Sequence, residues 1–302
     1  MRDASVGPQP LEQKPAWGSQ LVGLSLDQSL APPPGGGQVC VQGKEQAASQ
    51  GQKPDSASAS LGELPTFWLD PERRRRELAL LGDSVAELLR DRDYSFILGS
   101  APQDYALPAL PAAWALAQSA IHRLLRACDV LNQDGLSLYL PQETAAQETA
   151  AHRTAAQGDS FACHRHVTGQ QLSQLLSQHL PPQPMNLAAA LEQALEDHYA
   201  RKRLGQVQAN GAIILVLFDG EPTEQRRLIK SLVRATYHID QAEELGIGLL
   251  QIGENSIAEG FFSLLEQDLK LALARRSIVK FRKVNSLDLD GLADFLRTVI
   301  YP

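Results

Sequence analysis

Cysteine is scarce in this chain of 302 residues, which contains only Cys40, Cys128 and Cys163. The three lie far apart and in no paired spacing, so the sequence argues against a disulfide framework and favours a reducing, cytoplasmic location. Residues 1–15 do not show the basic-then-apolar pattern of a secretory signal. No apolar run approaches the roughly 20 residues that span a bilayer, so we expect no membrane partner.

Positive charge is also scarce. The formal net charge is −7 at pH 7, and the sequence pI is about 5.5. Binding to nucleic acid depends on basic groups that neutralise phosphates, so we expect no nucleic-acid partner. A basic run at residues 73–76 is flanked by Glu72 and Glu77 in a pattern with helical spacing. Such a run is typical of a solvated helix face.

The motifs of several common enzymes and cofactor-binding proteins are missing. No Gly-x4-Gly-Lys-Ser/Thr sequence occurs, so there is no phosphate-cradling loop of that type. Residues 98–102, LGSAP, differ from the Gly-x-Ser-x-Gly elbow of hydrolases. Gly246 and Gly248 have dinucleotide-like spacing, but they lie within a strand pattern and not at a strand-to-helix turn. The sequence therefore predicts no cofactor and no catalytic residue.

Composition divides the chain near residue 64. Residues 1–64 are rich in Gly, Pro, Gln and Ser, with APPPGGGQ at residues 31–38. They predict a disordered, low-complexity tail, because too few large apolar residues are present to offset the entropy of ordering. We expect residues 65–302 to form one α/β domain. Residues 142–160 repeat an ETAAQ-like unit without core-forming side chains, which indicates a surface insertion.

Strand and helix patterns alternate from residue 65 onward. Apolar runs typical of buried strands occupy residues 94–100, 134–141, 212–220, 246–253 and 277–281, and residues 160–168 suit a short edge strand. Strands that are apolar on both faces, with helices between them, indicate a mostly parallel sheet covered on two sides. The sequence therefore predicts a Rossmann-like, doubly wound α/β fold with six strands and helices on both faces.

Asp219 stands at the end of the apolar run at residues 213–218. Ligands of open α/β sheets bind at the carboxyl ends of the strands, where Ser100 also falls. A buried carboxylate is normally hydrogen-bonded or paired. Asp219 therefore has two interpretations. It accepts hydrogen bonds from Ser100 or the adjacent backbone, or it contacts a protein partner together with Asn186 and Glu221.

Three segments occur in an order and spacing that belong to one family. They are DGLSLY at residues 134–139, FDGEPT at 218–223 and LGIGLLQIG at 245–253, with a similar segment at 261–269. Residues 94–300 resemble a von Willebrand factor type A (vWA) domain of the intracellular type. The resemblance implies three loops at the strand ends that form a metal-ion-dependent adhesion site. In the family these loops supply Asp-x-Ser-x-Ser, a Thr and the Asp of an Asp-Gly pair.

The metal ligands of that family are mostly replaced in this chain. Its Asp falls on Gly99, its two Ser fall on Ala101 and Gln103, and its Thr falls on Met185 or Asn186. Only Asp219 matches. A single carboxylate cannot hold Mg²⁺, because that ion gives up its water reluctantly. The resemblance therefore implies a degenerate site with no metal.

The sequence favours a non-enzymatic module that binds a protein partner. The predicted contact residues at the strand ends are Ser100, Asn186, Asp219 and Glu221, with Met185 as an apolar anchor. The resemblance implies an ATPase of the AAA+ class as partner. The alternative is a hydrolase or transferase that uses the same cleft with unrecognised residues. A deep polar pocket at the strand ends would favour the enzyme, and a flat surface would favour the module.

Cys163, His164 and His166 form the other group of metal-ligand types. Alternate residues of a strand point to the same side, which would place His164 and His166 together. The group has no CxxC or HxxxH to complete it. Without a fourth ligand, the sequence favours residues that bind no metal.

Overall fold

The computed structural model describes residues 87, 89–102, 110–131, 134–142, 161–284 and 289–301. The predicted tail at residues 1–64 lies outside the described residues. So do most of the helix predicted after Pro71 and nearly all of the insertion at residues 142–160. No helix within the described ranges is long and apolar enough to cross a membrane.

Six strands form one sheet in the order β3-β2-β1-β4-β5-β6. Only β3 runs antiparallel, against β2, and every other neighbouring pair is parallel. The predicted six-stranded, mostly parallel sheet is confirmed, as is the edge strand near residues 160–168. The strands are β1 Asp93–Gly99, β2 Leu136–Pro141, β3 Phe161–Val167, β4 Ala212–Phe218, β5 Leu245–Gln251 and β6 Val279–Lys283.

The described helices connect these strands. They are α1 Leu110–Leu131, α2 Gly169–His179, α3 Leu187–Arg203, α4 Gln225–Tyr237, α5 Ser256–Leu271 and α6 Leu289–Ile300. The helical pattern read over residues 223–245 was too long, because α4 ends at Tyr237 and a short 3₁₀ helix, Ala242–Glu244, precedes β5. The last strand also begins two residues later than the apolar run suggested, at Val279.

Both faces of the sheet are buried in the two strands at its centre. All seven residues of β1 and of β4 are buried. Leu215 and Leu217 pack in a hydrophobic cluster with α1, α2 and α6. Ile214 and Val216 pack in a second cluster with α3, α4 and α5. Because successive side chains of a strand point to opposite faces, the two clusters lie on opposite sides of the sheet.

The carboxyl ends of three neighbouring strands are level. Gly99 of β1 pairs with Phe218 of β4, and Phe218 pairs with Gln251 of β5. The residues that follow these strands, Ser100, Asp219 and Ile252, therefore lie at one edge of the sheet. This edge is called the strand-end face below.

A bulge interrupts β3. Leu138 pairs with His164 and Leu136 pairs with Val167, so Arg165 and His166 of β3 stand opposite the single residue Ser137 of β2. His166 has the positive φ of 55° that accommodates the extra residue. The prediction that His164 and His166 share a side assumed an unbroken alternation. The bulge breaks that alternation, so the spacing argument was wrong.

Candidate functional site

The Asp219 carboxylate is enclosed by three hydrogen-bond donors. The Ser100 hydroxyl donates to Oδ2 at 2.5 Å, and the backbone N–H of Ala101 donates to Oδ1 at 2.8 Å. The indole N–H of Trp114 donates to Oδ2 at 2.8 Å. Asp219 is 1% exposed. Burying a carboxylate is costly unless donors replace its water, and these three donors supply that compensation.

These hydrogen bonds join three separate parts of the fold. Asp219 follows β4, Ser100 and Ala101 follow β1, and Trp114 lies in α1. The hydroxyl and the two N–H groups thus connect these three parts of the fold through one carboxylate. The arrangement matches the structural interpretation of Asp219 that the sequence offered.

Backbone contacts bring a further loop into the same cluster. The N–H of Ser100 donates to the carbonyl of Gln183 at 3.2 Å, and the N–H of Met185 donates to the carbonyl of Ser100 at 3.0 Å. Gly220 faces Ala101 so closely that a Cβ at residue 220 would lie 2.3 Å from the Ala101 Cβ. The three loops therefore fit against each other with little free space.

Met185 fills the space that a side chain at residue 99 would need. A Cβ added to Gly99 would lie 2.9 Å from the Met185 Cβ and 3.0 Å from its sulfur. Met185 itself is buried and belongs to a hydrophobic cluster. The expectation that Met185 is an apolar anchor for a partner is therefore wrong for this conformation, because its side chain is part of the core.

The remaining predicted contact residues have local roles. Asn186 is the N-cap of α3, where its side-chain oxygen accepts the N–H of Ala189 at 3.2 Å. Asn186 is buried, whereas Glu221 is half-buried and accepts a hydrogen bond from Gln225 at 2.5 Å. The structure thus links Ser100 directly to Asp219. It places Asn186 and Glu221 in the adjoining loops, where their hydrogen bonds are to Ala189 and Gln225.

Two features of this face have no signal in the sequence. Trp114 is 105 residues from Asp219 along the chain and lies in no motif that pairs them. Ile257, in the first turn of α5, is 62% exposed. It follows Asn255, whose side-chain nitrogen lies 3.7 Å from the Cβ position of Gly220. The exposure of the apolar Ile257 side chain could be known only from the fold.

No deep pocket accompanies Asp219 among the described cavities. One cavity of about 760 Å³ is lined by residues that precede β1, β4 and β5, at the opposite edge of the sheet. A second, of about 450 Å³, is lined by residues 223–227. Neither is lined by Ser100 or Asp219.

The chemistry around Asp219 does not suit a cation. The three groups that surround the carboxylate present hydrogens to it, whereas Mg²⁺ needs converging oxygen lone pairs. Across the part of the chain that the structure describes, no group of three or more His, Cys, Asp or Glu side chains is arranged to hold a metal ion.

The Cys163 group is divided between two sides of the sheet. Cys163 belongs to the cluster that contains α3, and its sulfur lies 3.9 Å from the Asp197 carboxylate. His164 is partly buried, and its pKa is lowered by desolvation and by His179 of α2. A ring nitrogen of His166 lies 2.9 Å from the backbone oxygen of Asp134. The three side chains thus have separate surroundings.

A comparison of the sequence with protein-family models and with curated proteins gave no match. The fold and the geometry of the strand-end face therefore carry the functional argument.

Proposed function

We propose that this chain is a non-enzymatic, vWA-like protein-interaction domain that binds its partner through the strand-end face without a metal. One observation carries the proposal. Three protein donors surround the Asp219 carboxylate at the strand ends, so the loops are held in place before any ligand binds. In this proposal the donors act where the vWA family has a cation. A preformed surface lowers the entropic cost of binding a partner.

The fold supports the vWA-like assignment. The sheet is mostly parallel, its antiparallel edge strand follows β2, and helices cover both faces. In this proposal the arrangement is the doubly wound one of the vWA family. Some intracellular members of that family work beside ATPases of the AAA+ class. We therefore propose an ATPase of this class as the partner, and the cytoplasm as the location.

The proposed contact residues divide by accessibility. Asp219 and Asn186 are buried, so we assign them the role of positioning the loops. Ser100 and Glu221 are half-buried and can meet a partner directly. Ile257 adds an exposed apolar side chain beside them. Polar groups around an apolar anchor are the usual composition of a protein interface.

The alternative of a hydrolase or transferase gains no support from this geometry. The Ser100 hydroxyl donates its hydrogen to Asp219, and no histidine contacts Ser100 among the described hydrogen bonds. A serine nucleophile requires a base within hydrogen-bond reach and a place for the substrate. Neither of the two described cavities is lined by Ser100, and no described hydrogen bond joins Ser100 to a histidine.

The test compares matched surface variants. Partners are recovered with the full chain, identified by mass spectrometry and then titrated as purified proteins. Ile257→Asp should weaken their affinity about tenfold or more, because a buried apolar contact is replaced by a charge. Leu204→Asp is the control, since Leu204 is 70% exposed and follows α3 at the opposite edge.

Equal effects of the two variants on every recovered partner would remove the strand-end face as the binding site. Equal melting temperatures of Ile257→Asp and Leu204→Asp would show that the comparison reports binding and not folding. Glu221→Ala provides a second variant on the same face, and its loss of affinity should be additional to that of Ile257→Asp.

A further inference from the structure

The cavity of about 760 Å³ lies where β1, β4 and β5 begin, at the edge of the sheet that faces away from the strand-end face. Its walls come from the loop at residues 207–211, the segment at residues 241–244, and the end of α3 with His198 and Lys202. Its volume falls within the roughly 300–1,000 Å³ of small-molecule sites. No motif of the sequence pointed to this cavity.

His198 is the least satisfied polar side chain on this wall. It is 3% exposed, and neither ring nitrogen has a hydrogen-bond partner. Desolvation, with contributions from Arg201 and Lys202, lowers the pKa of His198 to about 4. The imidazole is therefore neutral at pH 7 and carries one nitrogen that accepts a hydrogen bond. A group that donates from within the cavity would satisfy it.

The two cations of the wall are already engaged. The Lys202 ammonium donates to the Glu244 carboxylate at 2.7 Å, and the Arg92 guanidinium donates to the backbone carbonyl of Glu243 at 2.7 Å. Each of these groups is thus directed at an acceptor of the protein. Neither cation is oriented toward an anionic ligand by these contacts.

Two carboxylates of the wall remain. The side chains of Glu87 and Glu243 form no hydrogen bond or ion pair with any residue that the structure describes. The negative charge of Glu243 nevertheless acts on Arg92, whose pKa it raises against the larger effect of desolvation. With Glu244, the wall has three carboxylates against Arg92 and Lys202, a net charge of −1. Glu87 and Glu243 are therefore charged hydrogen-bond acceptors that a ligand in the cavity could meet.

We propose that this cavity binds a small organic cation with an ammonium or guanidinium group. The N–H groups of the ligand donate to His198 and form an ion pair with Glu243, and Glu87 adds a second negative charge. Tyr301, which is 55% exposed, lines the cavity and offers an aromatic face to the cation. The same chemistry is available from a free amine and from a lysine side chain of a peptide. This site is independent of the strand-end face.

The experiment uses putrescine as the probe and follows the ¹⁵N signals of the histidine side chains in the full chain, with His198→Phe to assign the His198 signals. Butane-1,4-diol and succinate have four carbons like putrescine and serve as its neutral and anionic controls. We expect a saturable shift of the His198 signals with putrescine at pH 7, and none with the diol or with succinate. A capped lysine amide, titrated in parallel, shows whether a protein side chain binds better than the free amine.

Two matched variants locate the site. Glu243→Gln should weaken putrescine about tenfold, because it removes the charged acceptor and keeps the shape. Glu254→Gln, which follows β5 at the strand-end face, should leave the affinity unchanged. Glu87→Gln replaces Glu243→Gln if the melting temperature shows that the latter does not fold.

Three results would each overturn the proposal. The first is the absence of a saturable His198 shift with both putrescine and the capped lysine amide at millimolar concentration. The second is binding of the diol or succinate as tight as that of putrescine, because the cavity would then not select a cation. The third is equal affinity of the wild type and of a folded Glu243→Gln or Glu87→Gln variant.

Discussion

At the scale of single residues, the hydrogen bonds to Asp219 predict a specific contribution to the free energy of unfolding. Hydrogen bonds to a charged group contribute roughly 1.5–3 kcal/mol, and neutral ones roughly 0.5–1.5 kcal/mol. Ser100→Ala removes a donor to a buried carboxylate, whereas Tyr94→Phe removes a donor to the backbone carbonyl of Leu89. We expect Ser100→Ala to lower the free energy of unfolding by about 2 kcal/mol and Tyr94→Phe by about 1 kcal/mol.

Urea denaturation of the two variants and the wild type measures both losses. The residues whose acceptors lose a donor, Asp219 and Leu89, are both almost fully buried, which makes the comparison a fair one. A loss for Ser100→Ala no larger than that for Tyr94→Phe would mean that the carboxylate network contributes nothing beyond an ordinary hydrogen bond.

At the same scale, the buried His198 predicts that the stability of the protein depends on pH. Its pKa is about 4 in the folded state because of desolvation and the nearby Arg201 and Lys202, with Glu244 acting in the opposite direction. The unfolded value is about 6.5. As pH falls below about 6.5, the unfolded state binds the proton first, so the stability from a neutral His198 is present above that pH and is lost toward pH 4.

We expect His198→Phe to remove about 2 kcal/mol of the decrease in unfolding free energy that the wild type shows between pH 7 and pH 5. Denaturation at a series of pH values measures this difference. Parallel curves for the variant and the wild type would contradict the assigned pKa shift.

At the scale of elements, two glycines allow a packed loop to be compared with an open helix surface. A Cβ at Gly99, the last residue of β1, meets Met185 at 2.9 Å, while a Cβ at Gly260 in α5 meets no atom within 4 Å. Gly99→Ala should cost about 1–3 kcal/mol because it overpacks the loops. Gly260→Ala should stabilise the chain by about 0.5–1 kcal/mol, because alanine favours the helix.

Thermal unfolding of these two variants gives the signs directly. A stabilising Gly99→Ala would mean that Met185 moves aside easily and that the loops are not fixed as described.

At the scale of the whole molecule, the sheet was predictable because each buried strand is a short apolar run that stands apart from helical patterns. The run at residues 213–218 shows this, since it ends where β4 ends, at Phe218. The contact of Ser100 with Asp219 was also predictable, because both residues follow parallel strands. The hydrogen bond from Trp114 to Asp219 was not predictable, since it depends on how α1 packs over the sheet. The His198 cavity was not predictable either, because it is built from loops distant in sequence.

The proposed vWA-like function makes one central claim, which is that protein donors act at the strand-end face where vWA domains use a cation. Calorimetric titration of the full chain with Mg²⁺ or Mn²⁺ at millimolar concentration tests this claim most directly, with Asp219→Asn as the control variant. We predict no saturable heat for the wild type. Saturable binding by the wild type that disappears in a folded Asp219→Asn variant would show that the strand-end face holds a metal and would contradict the account.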